Sequence, residues 1–145
     1  MAGKKSERVL VQEWRDVLAL HARTTCELDR ALQPFGIGAS DFEVLDVLAE
    51  VEPADGGDAC RVQELASHIH LSQSALSRLV ARLEKGGLVV RGMCGEDRRG
   101  VKVALTDAGR QRHAEARPLQ RAVLKRMLDE RTADERTSEE RTPDA

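Results

Sequence analysis

The sequence predicts a mainly α-helical fold with one small β-hairpin, and three observations carry that expectation. Residues 73–85, QSALSRLVARLEK, place Leu76, Leu79, Val80 and Leu83 at i, i+3, i+4, i+7 spacing, which is one apolar helix face. Gly86 and Gly87 stop this helix at once, and two Val- and Leu-rich runs follow, 88–93 and 100–105, as half-buried strands require. Aromatic residues are few, only Trp14, Phe35 and Phe42, so the core is aliphatic, which suits packed helices.

The remaining elements read in order. Leu10, Trp14, Val17, Leu18, His21, Thr25, Leu28 and Leu32 keep helical spacing from Ser6 onward, and Pro34 with Gly36 closes that helix. Ser40 and Glu43 match a capping box for a second helix through Phe42, Leu45, Leu48 and Ala49. A loop of Pro53, Asp55, Gly56, Gly57 and Asp58 leads to one short strand at 59–61. Val62, Leu65, Ala66 and Ile69 mark a short third helix. His70 and Leu71 turn the chain into the helix at 73–85, capped by Ser72, so the pair forms a helix-turn-helix. Thr106 caps a fifth helix that reaches Leu128, with Pro118 expected to kink or divide it. Beyond Leu128 the apolar pattern ends, and Glu-Arg-Thr recurs three times at a spacing of five. Residues 129–145 read as a polar tail, solvated as frayed helix or disordered chain.

A length of 145 residues fits one compact unit, and 41% hydrophobic residues permit a core. The formal net charge of −2 hides a strong division. Residues 1–60 hold 6 cations and 12 anions, 61–105 hold 8 and 4, 106–128 hold 6 and 2, and 129–145 hold 3 and 7. A polyanion meets the local potential of one face rather than the sum, so the positive middle of the chain keeps nucleic acid open as a partner. On the helix at 73–85 the face opposite the leucines carries Ser74, Ser77, Arg78, Ala81, Arg82 and Lys85 and no carboxylate. The hairpin tip, 94–99, adds adjacent Arg98 and Arg99. A cationic helix beside a cationic finger suggests one partner for both: the helix in a major groove of double-stranded DNA, the finger on the backbone or in the minor groove.

The combination SQSALSRLVARLEKGGLV, then EDRRG, then LTDAGR resembles the winged helix-turn-helix of the MarR family of bacterial transcriptional regulators. The match is close over 40–110. It implies a winged helix-turn-helix DNA-binding lobe at 40–105 and an α-helical dimerisation region from 6–33 and 106–128. It further implies a homodimer on a near-palindromic duplex site, and repression more than activation. The expected DNA-binding residues are Ser72, Gln73, Ser74, Ser77, Arg78, Arg82, Lys85, Arg98 and Arg99. The resemblance puts Arg99 in the groove and Arg98 on the backbone. Asp97, which phosphate would repel, orients one of them by an ion pair. Relatives take small phenolic or carboxylic effectors between their lobes, near Trp14, His21 and Arg23 here, although Trp14 reads first as packing in the dimer face.

Other function classes find less support. There is no Gly-rich phosphate loop, no G-x-S-x-G and no H-E-x-x-H, so no enzyme and no cofactor are expected. Cys60, His68 and His70 do not have a zinc spacing, and no metal site is expected. Three scattered cysteines without a pair fit a reducing cytoplasm. No apolar run approaches the ~18 residues of a membrane span, and the N-terminus lacks a signal core. Two alternatives stay open: a redox-responsive regulator using Cys94, near Arg91, Arg98 and Arg99, and a winged-helix protein-interaction module without DNA.

Overall fold

The computed structural model describes residues 3–50, 59–93 and 101–140, and only the backbone of 59–61, 63, 93, 101 and 130–140. The elements run α1 (Glu7–Leu32), a 3-10 turn (Gln33–Phe35), α2 (Ala39–Glu50), β1 (Ala59–Arg61), α3 (Val62–His68), α4 (Gln73–Lys85), β2 (Val89–Met93), β3 (Val101–Leu105) and α5 (Asp107–Glu140). The mainly helical fold with its small hairpin is thus as the periodicity predicts.

Ser6 caps α1 by accepting the Val9 N–H at 3.3 Å, and the turn at Pro34 closes it. The expected capping box of α2 does not form. The helix starts at Ala39, two residues before the start that a Ser40 cap implies, and its free N–H groups meet aspartates: Asp41 Oδ2 accepts from Gly38 at 2.7 Å, and Asp29 Oδ1 reaches over from α1 to accept from Ala39 at 2.8 Å. Carboxylates satisfy a helix N-terminus better than a hydroxyl because they also answer the helix dipole.

α2 lies at the centre. Phe42, Val44 and Leu45 are fully enclosed by Leu28 and Leu32 of α1, Leu65 of α3, Leu76, Leu79, Val80 and Leu83 of α4, Val89 and Val103 of the sheet, and Ala116 and Val123 of α5. The four apolar residues expected on one face of α4 are all buried. In the sheet β3 is central, antiparallel to β1 on one side and β2 on the other. The hairpin register pairs Val89 with Leu105 and Met93 with Val101. The short strand at 59–61 thereby closes the sheet against the base of the hairpin.

The structure narrows two expectations for the last helix. Pro118 does not divide α5, which runs unbroken to Glu140. Pro118 and Ala114 are both exposed, so the carbonyl left without its donor four residues back faces water. The backbone also stays helical well past Leu128, through most of the polar tail. Glu, Arg and Ala are good helix formers and need no apolar face to extend an existing helix.

The apolar face of α1 divides along its length. Leu28 and Leu32 join the core, but Leu10, Trp14, Val17 and Leu18 remain 46–60% exposed, with Leu119 and Leu128 of α5 also open. Among the described residues no helix is long and apolar enough to cross a membrane.

Candidate nucleic-acid interface

α4 is held rigidly from three sides before any partner arrives. Its buried face locks it to α2 and the sheet. Ser72 caps it by accepting the Ala75 N–H at 3.2 Å, with the Ser74 hydroxyl 3.4 Å away. Its exit is fixed by Gly87, which takes φ +77, a conformation costly for any residue with a Cβ. The outer face then carries Gln73, Ser74, Ser77, Arg78, Arg82 and Lys85, all exposed. Arg78 and Lys85 have no hydrogen-bond or ion-pair partner among the described residues, so their charge is available to a ligand.

The structure separates two residues from that group. Ser72 Oγ accepts the cap bond, and its hydroxyl proton is left to be shared between Ser74 Oγ and a phosphate. Arg82 is not a simple solvated cation: its Nη2 lies 2.6 Å from Asp41 Oδ1 on α2, although two thirds of its side chain stays exposed.

Glu84 is the single carboxylate of α4, and it is turned away from the cationic face. It accepts the Arg91 backbone N–H at 2.9 Å and the Arg91 guanidinium through Nε and Nη2, both at 3.2 Å. The bond ties the end of α4 to β2, and so to the hairpin. The Arg91 charge is thereby matched within the described residues. The Arg91 side-chain bond, then its backbone bond, holds the Glu84 carboxyl below its ordinary 4.5. A depressed acid contributes its tie above that ordinary value and loses it as pH falls through the folded-state value. In an NMR titration the Arg91 amide should therefore shift in one step below pH 4.5. Glu84→Gln should abolish the step, and a step surviving in that variant would assign it to another group.

The base of the hairpin is clamped by the Leu-Thr-x-x-Gly segment. Thr106 donates its N–H to Leu88 O at 3.1 Å and its hydroxyl to Gly87 O at 2.6 Å, and accepts the Gly109 N–H at 3.0 Å. One threonine thus joins the exit of α4, the end of β3 and the start of α5. The expected helix cap is present, and it does more than cap.

A second junction, between α2 and α5, has no signature in the sequence. Asp46 is buried, with His113 Nε2 at 2.8 Å from Oδ1 and Arg121 Nη2 at 3.0 Å from both oxygens. His113 stacks on Phe42 with ring centroids 5.3 Å apart, and the Arg121 guanidinium lies over the same ring. Arg121 also donates to Gln120, which is fully buried. Spacing within either helix does not reveal a pair formed across the core.

The remaining candidates are scattered. Arg98, Arg99, Asp97 and Cys94 lie outside the described residues. Arg23 lines a cavity of about 450 Å³ between α1 and α5 with Cys26, Glu27, Arg126 and Met127, whereas Trp14 and His21 do not line it. The Arg126–Glu27 ion pair, 3.0 Å, crosses that cavity. Trp14, 60% exposed, belongs instead to the open apolar stripe of α1. His68 and His70 are exposed, and no cluster of metal-ligating side chains occurs among the described residues.

The comparisons with known proteins agree on one group. The sequence pattern of the MarR family matches residues 35–100. The chain is similar to the uncharacterized HTH-type transcriptional regulator YcgE of Bacillus subtilis, 32% identical over 119 residues, covering 81% of this chain and 71% of that one. Among solved structures it is similar to AbsC, a MarR family transcriptional regulator from Streptomyces coelicolor, at 32% identity and a TM-score of 0.76, covering 94% of this chain and 90% of that one. It is also similar to Sco3205, a MarR family regulator of the same organism solved in complex with DNA. That match is 32% identical with a TM-score of 0.74, over 94% of this chain and 86% of the other.

Proposed function

Because the chain belongs to the MarR family and is a DNA-binding transcriptional regulator, we propose that it works in the cytoplasm as a homodimeric repressor of a near-palindromic duplex site. The observation that carries this reading is the outer face of α4: exposed Ser74, Ser77, Arg78 and Lys85, with the only acid of the helix drawn off to Arg91. α4 enters the major groove, where Arg78 pairs bidentately with guanine or reaches phosphate. Gln73, Ser74 and Ser77 serve the backbone near the helix start. Arg99 enters the minor groove, Arg98 meets phosphate and Asp97 orients the pair.

The dimer is supported by the apolar stripe. Val9, Leu10, Val11, Trp14, Val17 and Leu18 on α1 and Leu119 and Leu128 on α5 are too many large apolar side chains in one stretch for a monomer to leave in water. Residues 6–33 and 106–128 accordingly form the dimerisation region and 40–105 the DNA-binding lobe. Two symmetry-related α4 helices then reach half-sites whose centres lie ~10 bp apart or a multiple of that. Release comes from a small-molecule effector, with the Arg23 and Arg126 cavity as its site in place of the expected Trp14 and His21 group. No catalytic step is assigned.

The test is selection of bound sequences from a random duplex pool, followed by titration of the selected duplex over a salt series. Affinity should fall steeply as salt rises, and footprints should show two related half-sites. Arg78→Ala should cost ~1–3 kcal/mol and relax preference at one position in each half-site without lowering the melting temperature. Binding that ignored salt, or a footprint of one asymmetric half-site, would overturn the reading.

A further inference from the structure

We infer that Asp41 is a positioning residue for DNA binding. It holds the Arg82 guanidinium in place as a fixed phosphate clamp at the edge of α4, rather than as a base-reading side chain. The inference rests on the DNA-binding reading of α4 given above. Asp41 is a buried acid, 6% exposed, with both oxygens committed: Oδ2 to the Gly38 N–H at 2.7 Å, Oδ1 to Arg82 Nη2 at 2.6 Å. The first bond fixes the carboxylate to the first turn of α2, so it cannot follow the arginine outward. Arg82 must come to it.

The consequences follow from what the bond leaves over. A guanidinium has five N–H donors in a rigid plane, and among the described residues Asp41 is the one partner of Arg82; the side chain remains 66% exposed. The unused donors therefore stay in water at the seam between α2 and α4. Being drawn toward α2, the group lies beside the path of a helix inserted into a groove rather than at its leading face, where Arg78 stands four residues earlier. The groove wall, and thus phosphate, is what such a lateral position meets. Arginine has among the largest rotamer freedoms of any side chain, and an untethered one loses that freedom on binding. Asp41 removes most of it before DNA arrives.

Simple charge counting makes the opposite prediction for Asp41, and the test uses that. An acid near phosphate repels it, so neutralising a bystander should tighten binding. Neutralising a tether should weaken binding. The experiment measures affinity of wild type, Asp41→Asn, Arg82→Ala, Arg82→Lys and the Asp41→Asn/Arg82→Ala pair. Each is titrated against a selected duplex and a core-scrambled duplex across a salt series, with thermal melts alongside.

Arg82→Ala should weaken binding on both duplexes by the same factor, and the slope of log affinity against log salt should shrink by about two per dimer, one phosphate from each protomer. Arg82→Lys should keep the slope and lose affinity severalfold, because charge remains and the planar fork does not. Asp41→Asn should also weaken binding severalfold with little change in slope, and should add nothing in the Arg82→Ala background. Tighter or unchanged binding by Asp41→Asn would overturn the positioning role. If melts show that variant unfolded, the Arg82 pair decides: an unaltered slope for Arg82→Ala, or a loss confined to the selected duplex, overturns the clamp. Wild type failing to bind either duplex would instead remove the DNA-binding reading itself.

Discussion

Gly109→Ala is expected to destabilise the protein by roughly 3 kcal/mol, at the severe end for a single added methyl group. Local propensity points the other way. Gly109 sits in the first turn of α5 at an ordinary helical φ, where Ala would gain about 1 kcal/mol. The packing overrules it. A Cβ built on Gly109 would lie 2.0 Å from Leu88 O and 3.0 Å from Leu88 C, with Leu105 Cδ2 at 3.3 Å. Leu88 O is the acceptor of the Thr106 N–H, so the obstacle is backbone held in place by a hydrogen bond. To admit the methyl, the start of α5 must leave the exit of α4, and the Thr106 bonds to Gly87 and Leu88 break with it. The melting temperature should fall by on the order of 10 °C for a chain of this size. Gly92→Ala is the control, because nothing lies within 4 Å of a Cβ there. A Gly109→Ala variant melting with wild type would show that α5 does not need this approach.

The second large effect is expected at the α2–α5 junction. Asp46→Ala should cost roughly 2–4 kcal/mol, because it leaves Arg121 and His113, whose side chain is 12% exposed, facing each other with no acceptor between them. The figure sits below the cost of breaking a fully buried pair because Arg121 keeps about a third of its side chain in water. Asp46→Asn should cost less, since one carbonyl oxygen still accepts a bond. Replacing Asp46, His113 and Arg121 together by Leu, Phe and Met should restore most of the loss, as apolar groups of similar volume need no partner. Urea melts at constant slope check all three. Equal stability of Asp46→Ala and wild type would mean that water satisfies the His113 and Arg121 nitrogens, and that the junction is not closed. The junction joins the central helix α2 to α5, which bears Leu119 and Leu128, so its loss should also loosen α5 against α2.

The particular successes and failures of sequence reasoning share one dividing line. The apolar face of α4, the Ser72 cap, the stop at Gly87 and the Thr106 cap are each decided within about four residues, by helix periodicity and by N–H groups that a neighbouring oxygen can reach. They stand as read. The capping box at Ser40 and Glu43 was equally local in form and did not form, because the helix begins at Ala39, where Asp41 and Asp29 accept the Gly38 and Ala39 N–H groups and leave Ser40 inside the helix. The Leu-Thr-x-x-Gly segment was legible as a pattern, but the reason for its glycine was not. That reason is a carbonyl 21 residues upstream, at Leu88.

The sequence by itself therefore determined which helices form, which face of α4 is buried and which is left cationic, and that a hairpin follows it. These depend on the order of apolar and polar residues over a turn or two of helix. Only the tertiary structure decided which charges are free. Arg82 is committed to Asp41 across 41 residues, Asp46 to His113 and Arg121 across 67 and 75, and Glu84 takes Arg91 out of the wing's charge. An ion pair has no periodicity to read. Its partner is whichever opposite charge the packed core brings within about 3 Å, and burial then makes that choice costly to undo.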